Sequence, residues 1–157
     1  MPAQVVRNIA AAGLPALEHL DLWLGTNEYG GDCTLSDVEP VLQGDRLPSL
    51  RHLALRNSDI QDEIAAAMAS APVVARLETL DLSMGVLTDQ GGAALLGGQP
   101  LTHLKKLDLH HNYLGDPLKQ RFRDTLESAG VTLDLDRGHA EEDEWDNRVW
   151  RFVAVGE

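Results

Sequence analysis

Cysteine, aromatic residues and positive charge are all scarce in this 157-residue chain, and each shortage excludes something. Cys33 is the single cysteine, so an intrachain disulfide cannot form and a reducing compartment is favoured. Aromatics make up 4% of residues, which leaves leucine, valine and alanine to fill the core. Lysine and arginine number 13 against 25 aspartates and glutamates, a formal net charge of −12. That deficit speaks against nucleic acid, whose phosphates need a basic surface, and against an anionic membrane face. It suits a basic protein partner or a cationic ligand, although net charge also serves solubility alone. Nowhere does an apolar run approach the roughly 20 residues of a membrane helix. The opening MPAQVVRNIAAAGLPAL lacks the charged segment and long apolar stretch of a signal peptide. The expectation is a soluble, cytoplasmic protein.

Leucine, by contrast, is plentiful and in register. Leu17-Leu20-Leu22, Leu50-Leu53-Leu55, Leu77-Leu80-Leu82 and Leu104-Leu107-Leu109 repeat one spacing, and Gly130-Leu133-Leu135 is a degenerate fifth copy. The intervals between their first residues are 33, 27, 27 and 26. Each L-x-L alternates as a strand does, with leucines facing one way and the intervening residues the other. A further apolar residue follows at Leu35, Ile60, Leu87 and Leu114, and two positions later comes an aspartate: Asp37, Asp62, Asp89 and Asp116. An aspartate there reads as an N-cap or first-turn residue of a helix, meeting orphan amides and the positive end of the dipole. The spacing predicts helices over about 37–43, 62–71, 89–96 and 116–128, ended by glycines such as Gly97-Gly98 and Gly130.

A unit of strand, turn, helix and turn cannot bury its apolar face alone, but stacked neighbours bury a continuous one. The expected architecture is α/β: a right-handed β-α solenoid of about four and a half repeats, with a parallel concave sheet and convex helices. One domain is expected, with an N-terminal helix or cap at 1–16, repeats at 17–136 and an acidic, aromatic C-terminal cap at 137–157. The alternative for residues 3–12 is the last helix of an upstream repeat, which would make the chain the terminal part of a longer array.

The best-formed copy, LKKLDLHHNYL at 104–114, matches L-x-x-L-x-L-x-x-N-x-L at Leu104, Leu107, Leu109, Asn112 and Leu114. Over residues 14–136 the chain resembles the leucine-rich-repeat superfamily, nearest its ribonuclease-inhibitor-like class with helical convex sides. The 27-residue period and stretches such as LETLDLSMGVLTDQGGAALL carry the resemblance. The ending VWRFVAVGE is similar to the tails of some bacterial leucine-rich-repeat proteins. One departure is plain: Gly25, Ser58 and Gly85 occupy the asparagine position ahead of Asn112, so the family's asparagine ladder is mostly missing.

Residues alternating with the leucines form three columns across the sheet. The first is His19, His52, Thr79, Lys106 and Thr132; the second is Asp21, Ala54, Asp81, Asp108 and Asp134; the third is Trp23, Arg56, Ser83, His110 and Asp136. Asp81, Asp108 and Asp134 would be adjacent like charges, inviting a partner's lysine or arginine, or a metal ion, unless L-D-L is merely a common filling of this repeat. Trp23 and Arg56 are residue types enriched at binding hot spots, although an arginine stacked on an indole can also be purely structural. Lys106, Asp108 and His110 complete the expected partner-binding set with Asp134.

His19, His52 and Asp21 have the residue types of a zinc site but no third histidine or cysteine to close it. Ser83, His110 and Asp136 spell a nucleophilic triad, yet neither a G-x-S-x-G turn nor a helix N-terminus supports it. Gly91-Gly92 and Gly97-Gly98 match no phosphate-binding loop. The insertion Thr26–Thr34 reads as a surface loop beside Trp23, of a kind that carries function or merely tolerates length change. Trp145 and Trp150 in the tail read either as a cap over the last repeat or as an exposed aromatic site. The resulting expectation is a non-catalytic protein–protein interaction module without cofactor or metal, its partner a protein with a basic surface. A mainly structural terminal segment is the alternative, and a hydrolase or metal-binding protein follows behind it.

Overall fold

The computed structural model describes residues 1–156, and its elements follow the leucine register. Five strands, β1 (His19–Gly25), β2 (His52–Ser58), β3 (Thr79–Asp81), β4 (Lys106–Asp108) and β5 (Thr132–Asp134), form one sheet in chain order. All four pairings are parallel. Leu20, Leu53, Leu80, Leu107 and Leu133 stand side by side across it, as the alignment of the copies requires. Parallel neighbours need a crossover, and each is a helix: α2 (Leu35–Gln43), α3 (Gln61–Met68), α4 (Asp89–Gly97) and α5 (Asp116–Leu126). A further helix, α1 (Ala3–Ala11), precedes the sheet and packs against α2 through Ala3, Val6 and Ala10. The core between sheet and helices is almost wholly aliphatic, with Phe122 its only phenylalanine.

Helix boundaries differ from the expected ones at the ends. α3 stops at Met68 rather than continuing to 71, because Pro72 disfavours helical backbone before it and opens a 3-10 turn, Pro72–Arg76. The repeated aspartates do sit in first turns, but two of them serve the next repeat's helix. Asp62 accepts from the amide and hydroxyl of Thr88 at 2.7 and 2.6 Å and from Gly91 N at 3.2 Å, and Asp89 accepts from Gly115 N at 2.8 Å. Each carboxylate therefore joins two units as well as capping an end. Gly91 and Gly92 lie inside α4, and Gly91 allows that approach: a Cβ there would stand 2.7 Å from Asp62 Cα.

Residues 137–156 add no strand to the five-stranded sheet. Two antiparallel strands, β6 (Glu142–Trp145) and β7 (Arg148–Arg151), form a separate hairpin turned at Asp146 and Asn147, both with positive φ. From it the chain runs back along the repeats as a strap. Tyr113 Oη donates to Phe152 O at 2.8 Å, Ala154 N donates to Met84 O at 2.9 Å, and Asn57 holds Val155. Gly156 then reaches the ring of Tyr29.

Candidate functional site

The face of the sheet turned away from the helices carries the outward columns. The first two stand as the leucine register places them. The third does not persist. Trp23 pairs with Arg56, but β3, β4 and β5 end at their aspartates, before Ser83, His110 and Asp136.

The reason lies in a local exchange of hydrogen bonds. In a continuing parallel ladder, Ser83 N would donate to Leu55 O, His110 N to Leu82 O and Asp136 N to Leu109 O. Instead Gln61 Nε2 donates to Leu55 O at 2.8 Å, and Asn112 Nδ2 donates to Leu82 O at 2.9 Å and Leu109 O at 3.0 Å. The displaced amides turn to the aspartates two residues back: Ser83 N to Asp81 at 2.8 Å, His110 N to Asp108 at 3.1 Å, Asp136 N to Asp134 at 3.1 Å. Thus the aspartate column has a backbone role that its L-D-L spacing alone does not reveal. Gln61 also supplies, from the start of α3, the amide that Ser58 cannot, so the asparagine ladder is less depleted than position-by-position alignment implies.

Charge on this face is largely answered from within. Arg56 donates to both carboxylate oxygens of Asp21, lies 3.5 Å from Asp81, and stacks 4.7 Å from the centroid of the Trp23 ring. Partial burial works against the guanidinium's charge, but the bond to Asp21 and the nearby carboxylates outweigh it and hold its pKa above the ordinary value. Asp108 is buried, with Lys106 Nζ at 3.2 Å and His110 Nδ1 at 2.6 Å. Desolvation raises its pKa, yet the bonds from the His110 amide and ring and from Lys106 bring it below the usual carboxylate value. Trp23, 40% exposed, remains open to a partner, and Asp134 has no cationic partner among the described residues. Between them, where Ala54 interrupts the aspartates, lies a depression of about 240 Å³ bordered by His19, His52, Asp81, Lys106 and Asp108.

The candidate chemical constellations take definite positions. His19 and His52 stack at 4.0 Å with 11° between their planes, and His52 Nδ1 lies 2.8 Å from Thr79 Oγ1, so that nitrogen already has a partner. Donor atoms of Asp108, His110 and Asp134 fall within 4.8 Å of one another, close enough to share a cation. Both Asp108 oxygens are engaged by Lys106 and His110, however, so a metal would compete with a formed ion pair. The triad spelled by Ser83, His110 and Asp136 does not assemble. Ser83 is fully buried with its hydroxyl unpartnered, and the His110 ring is turned to Asp108. No clear catalytic site is built among the described residues.

Asn57 and Tyr113, neither of them singled out by the repeat pattern, organise the tail. Asn57 has φ +56°, as do its counterparts Met84 (+66°) and His111 (+49°), one repeat apart. Their 27-residue spacing is visible in the sequence, but nothing in it marks a left-handed backbone. Helices of the described residues include none long and apolar enough to cross a membrane.

Comparison with known proteins agrees with this geometry. Residues 46–69, 77–96 and 101–117 match the family model described as Leucine Rich repeat. A protein from Bacteroides fragilis, solved by crystallography, is similar at TM-score 0.82 and 29% identity, over 98% of this chain. The chain spans 41% of the length of that protein. None of the curated proteins matches. The matched repeats, together with the parallel sheet and flanking helices, are consistent with a short solenoid similar to leucine-rich-repeat proteins.

Proposed function

We propose that this chain is a non-catalytic protein–protein interaction module, binding a partner with a basic surface on the open sheet face and the adjoining loop at 26–34. The depression beside Ala54 carries the reading. It is a concave, mixed apolar and acidic patch on a rigid sheet, with the exposed Trp23 indole near one end and the uncompensated Asp134 near the other. Asp81, Lys106 and Asp108 line it, and together with Arg56 and His110, which hydrogen-bond or pair with the aspartates of that column, are read as partner contacts. The five strands are read as four and a half right-handed repeats of the ribonuclease-inhibitor-like kind, working in a bacterial cytoplasm, with no role for nucleic acid or membrane.

Capture from a cell lysate tests this, comparing wild type with a Trp23→Ala, Asp134→Asn variant. Both residues are exposed or half-exposed, and asparagine keeps the acceptor for Asp136 N. A saturable protein band lost with the variant supports the site; a band equally strong with both places the partner elsewhere.

A second reading, a structural role at the end of a longer array, is favoured by the open side of β1. The main-chain groups of His19, Asp21 and Trp23 on that side face away from β2. The longer Bacteroides protein is in keeping with it. Marked stabilisation by added upstream repeats would favour that role.

A further inference from the structure

Among the described residues, the β6–β7 hairpin is the one element whose large apolar residues point outward together. Its register places Asp143 opposite Trp150 and Trp145 opposite Arg148 on one face, and Glu142 opposite Arg151 and Glu144 opposite Val149 on the other. The second face turns toward the body: Arg151 Nε donates to Glu142 at 2.7 Å and its guanidinium lies 5.7 Å from the Tyr113 ring centroid. The first is largely uncovered among the described residues, although Trp150 and Phe152 also border a hollow toward the loop at 26–29. Trp145 is 79% exposed, Trp150 51% and Phe152 52%, and they border a hollow of about 430 Å³ with Asp143, Asp146 and Arg148. In a chain with three tryptophans and two phenylalanines, placing three of these five rings in water is costly and needs a reason. A lone two-stranded hairpin is also marginal by itself, and gains when its face is covered.

Charge decides what covers it. From 141 to 151 the carboxylates of Glu141, Glu142, Asp143, Glu144 and Asp146 stand against Arg148 and Arg151, and Arg151 is spent on Glu142. A second copy of this chain would bring the same excess and be repelled, as would phosphates of a nucleic acid or an anionic lipid surface. Indole faces flanked by carboxylates attract guanidinium and ammonium groups, by the ring quadrupole and by direct charge. The flat strand pair suits an extended segment, whose alternate side chains face one way.

We propose that the outer face of this hairpin is a second docking surface, for an extended basic segment of a partner protein whose arginine or lysine side chains lie on Trp145 and Trp150 between Asp143 and Asp146. It is separate from the sheet face and stands or falls independently of that site.

The full chain carrying Trp23→Phe leaves only the hairpin tryptophans as indole reporters. Titration with a short peptide alternating arginine and serine is expected to shift and saturate the tryptophan emission, and the same peptide with citrulline for arginine to bind far less. With the peptide labelled and followed by anisotropy, Trp145→Ala with Trp150→Ala weakens binding by about tenfold. Asp143→Asn with Asp146→Asn weakens it and flattens its salt dependence. Circular dichroism on each variant confirms the fold, which these exposed positions do not support. Binding unchanged by loss of both indoles, binding of the citrulline peptide at equal strength, or saturation without an emission change would each overturn the proposal, leaving only the general attraction of an acidic protein.

Discussion

Asn57 brackets the main chain of Val155, donating from Nδ2 to its carbonyl at 2.8 Å and accepting its amide at Oδ1 at 2.9 Å. The pair is 98 residues apart in sequence and satisfies both backbone groups of a segment that belongs to no sheet. Asn57→Ala removes both bonds and leaves a Cβ residue at φ +56° with no side-chain compensation. A loss of about 1–2 kcal/mol is expected in urea unfolding, smaller than for a wholly buried pair because Val155 is partly open to water. Hydrogen exchange at Val155 is expected to accelerate before any change in the β1–β4 amides; simultaneous acceleration everywhere would show that the strap and repeats open together.

The backbone exchange along the aspartate column separates two substitutions at one position. Asp81→Asn retains an oxygen for Ser83 N, whereas Asp81→Ala orphans that amide. The alanine variant is expected to lose about 1–2 kcal/mol in thermal or denaturant unfolding, and the asparagine variant less than half of that. Equal losses would mean that the charge facing Arg56, not the amide, is what Asp81 supplies.

Ser83 offers the opposite experiment. Its hydroxyl is buried without a hydrogen-bond partner among the described residues, so its desolvation is uncompensated. Ser83→Ala is expected to raise the stability of the fold by about 1 kcal/mol, read as a higher midpoint in urea. A fall in midpoint would reveal a bond that the serine makes in solution.

Acid is expected to destabilise the fold in part through Asp108. Burial raises its pKa, but the amide and ring of His110 and the Lys106 ammonium lower it further, so its folded value lies below the unfolded one. The corresponding stability is complete above the ordinary aspartate range and is lost as pH falls through the lowered folded value. Unfolding midpoints measured across that range are expected to fall less steeply in Asp108→Asn than in wild type. Parallel profiles would assign the acid sensitivity to other carboxylates, Asp37 and Glu78 among them, both also held below their usual values by bonded partners.

Fold is more legible in the sequence than site, and particular residues show why. Leucine spacing is set by burial, which every copy must satisfy alike, so Leu20, Leu53, Leu80, Leu107 and Leu133 align on their intervals alone. The outward columns follow from alternation for as long as the backbone stays extended. At Ser83 and His110 it does not, because Gln61 and Asn112 take the carbonyls that would have continued the ladder. Gln61 lies outside the signature position and reaches it only through the fold. Likewise the tail's composition announces tryptophans needing explanation, but the hydrogen bonds that carry it back to Tyr113, Met84 and Asn57 depend on left-handed residues that no periodicity encodes.

A stack of repeats ordinarily behaves as a one-dimensional array, in which an end unit can melt while its distant neighbours stay intact. The returning strap changes that topology. By tying residues 152–156 to Tyr113 after β4, Met84 after β3 and Asn57 at the end of β2, and to Tyr29 beyond β1, it converts a line of nearest-neighbour contacts into a ring. Fraying from the C-terminal end must then break bonds made with the second repeat as well as the fourth. The array thereby acquires a cooperativity that stacking alone does not give, and partner-induced opening at either end would be felt at the other.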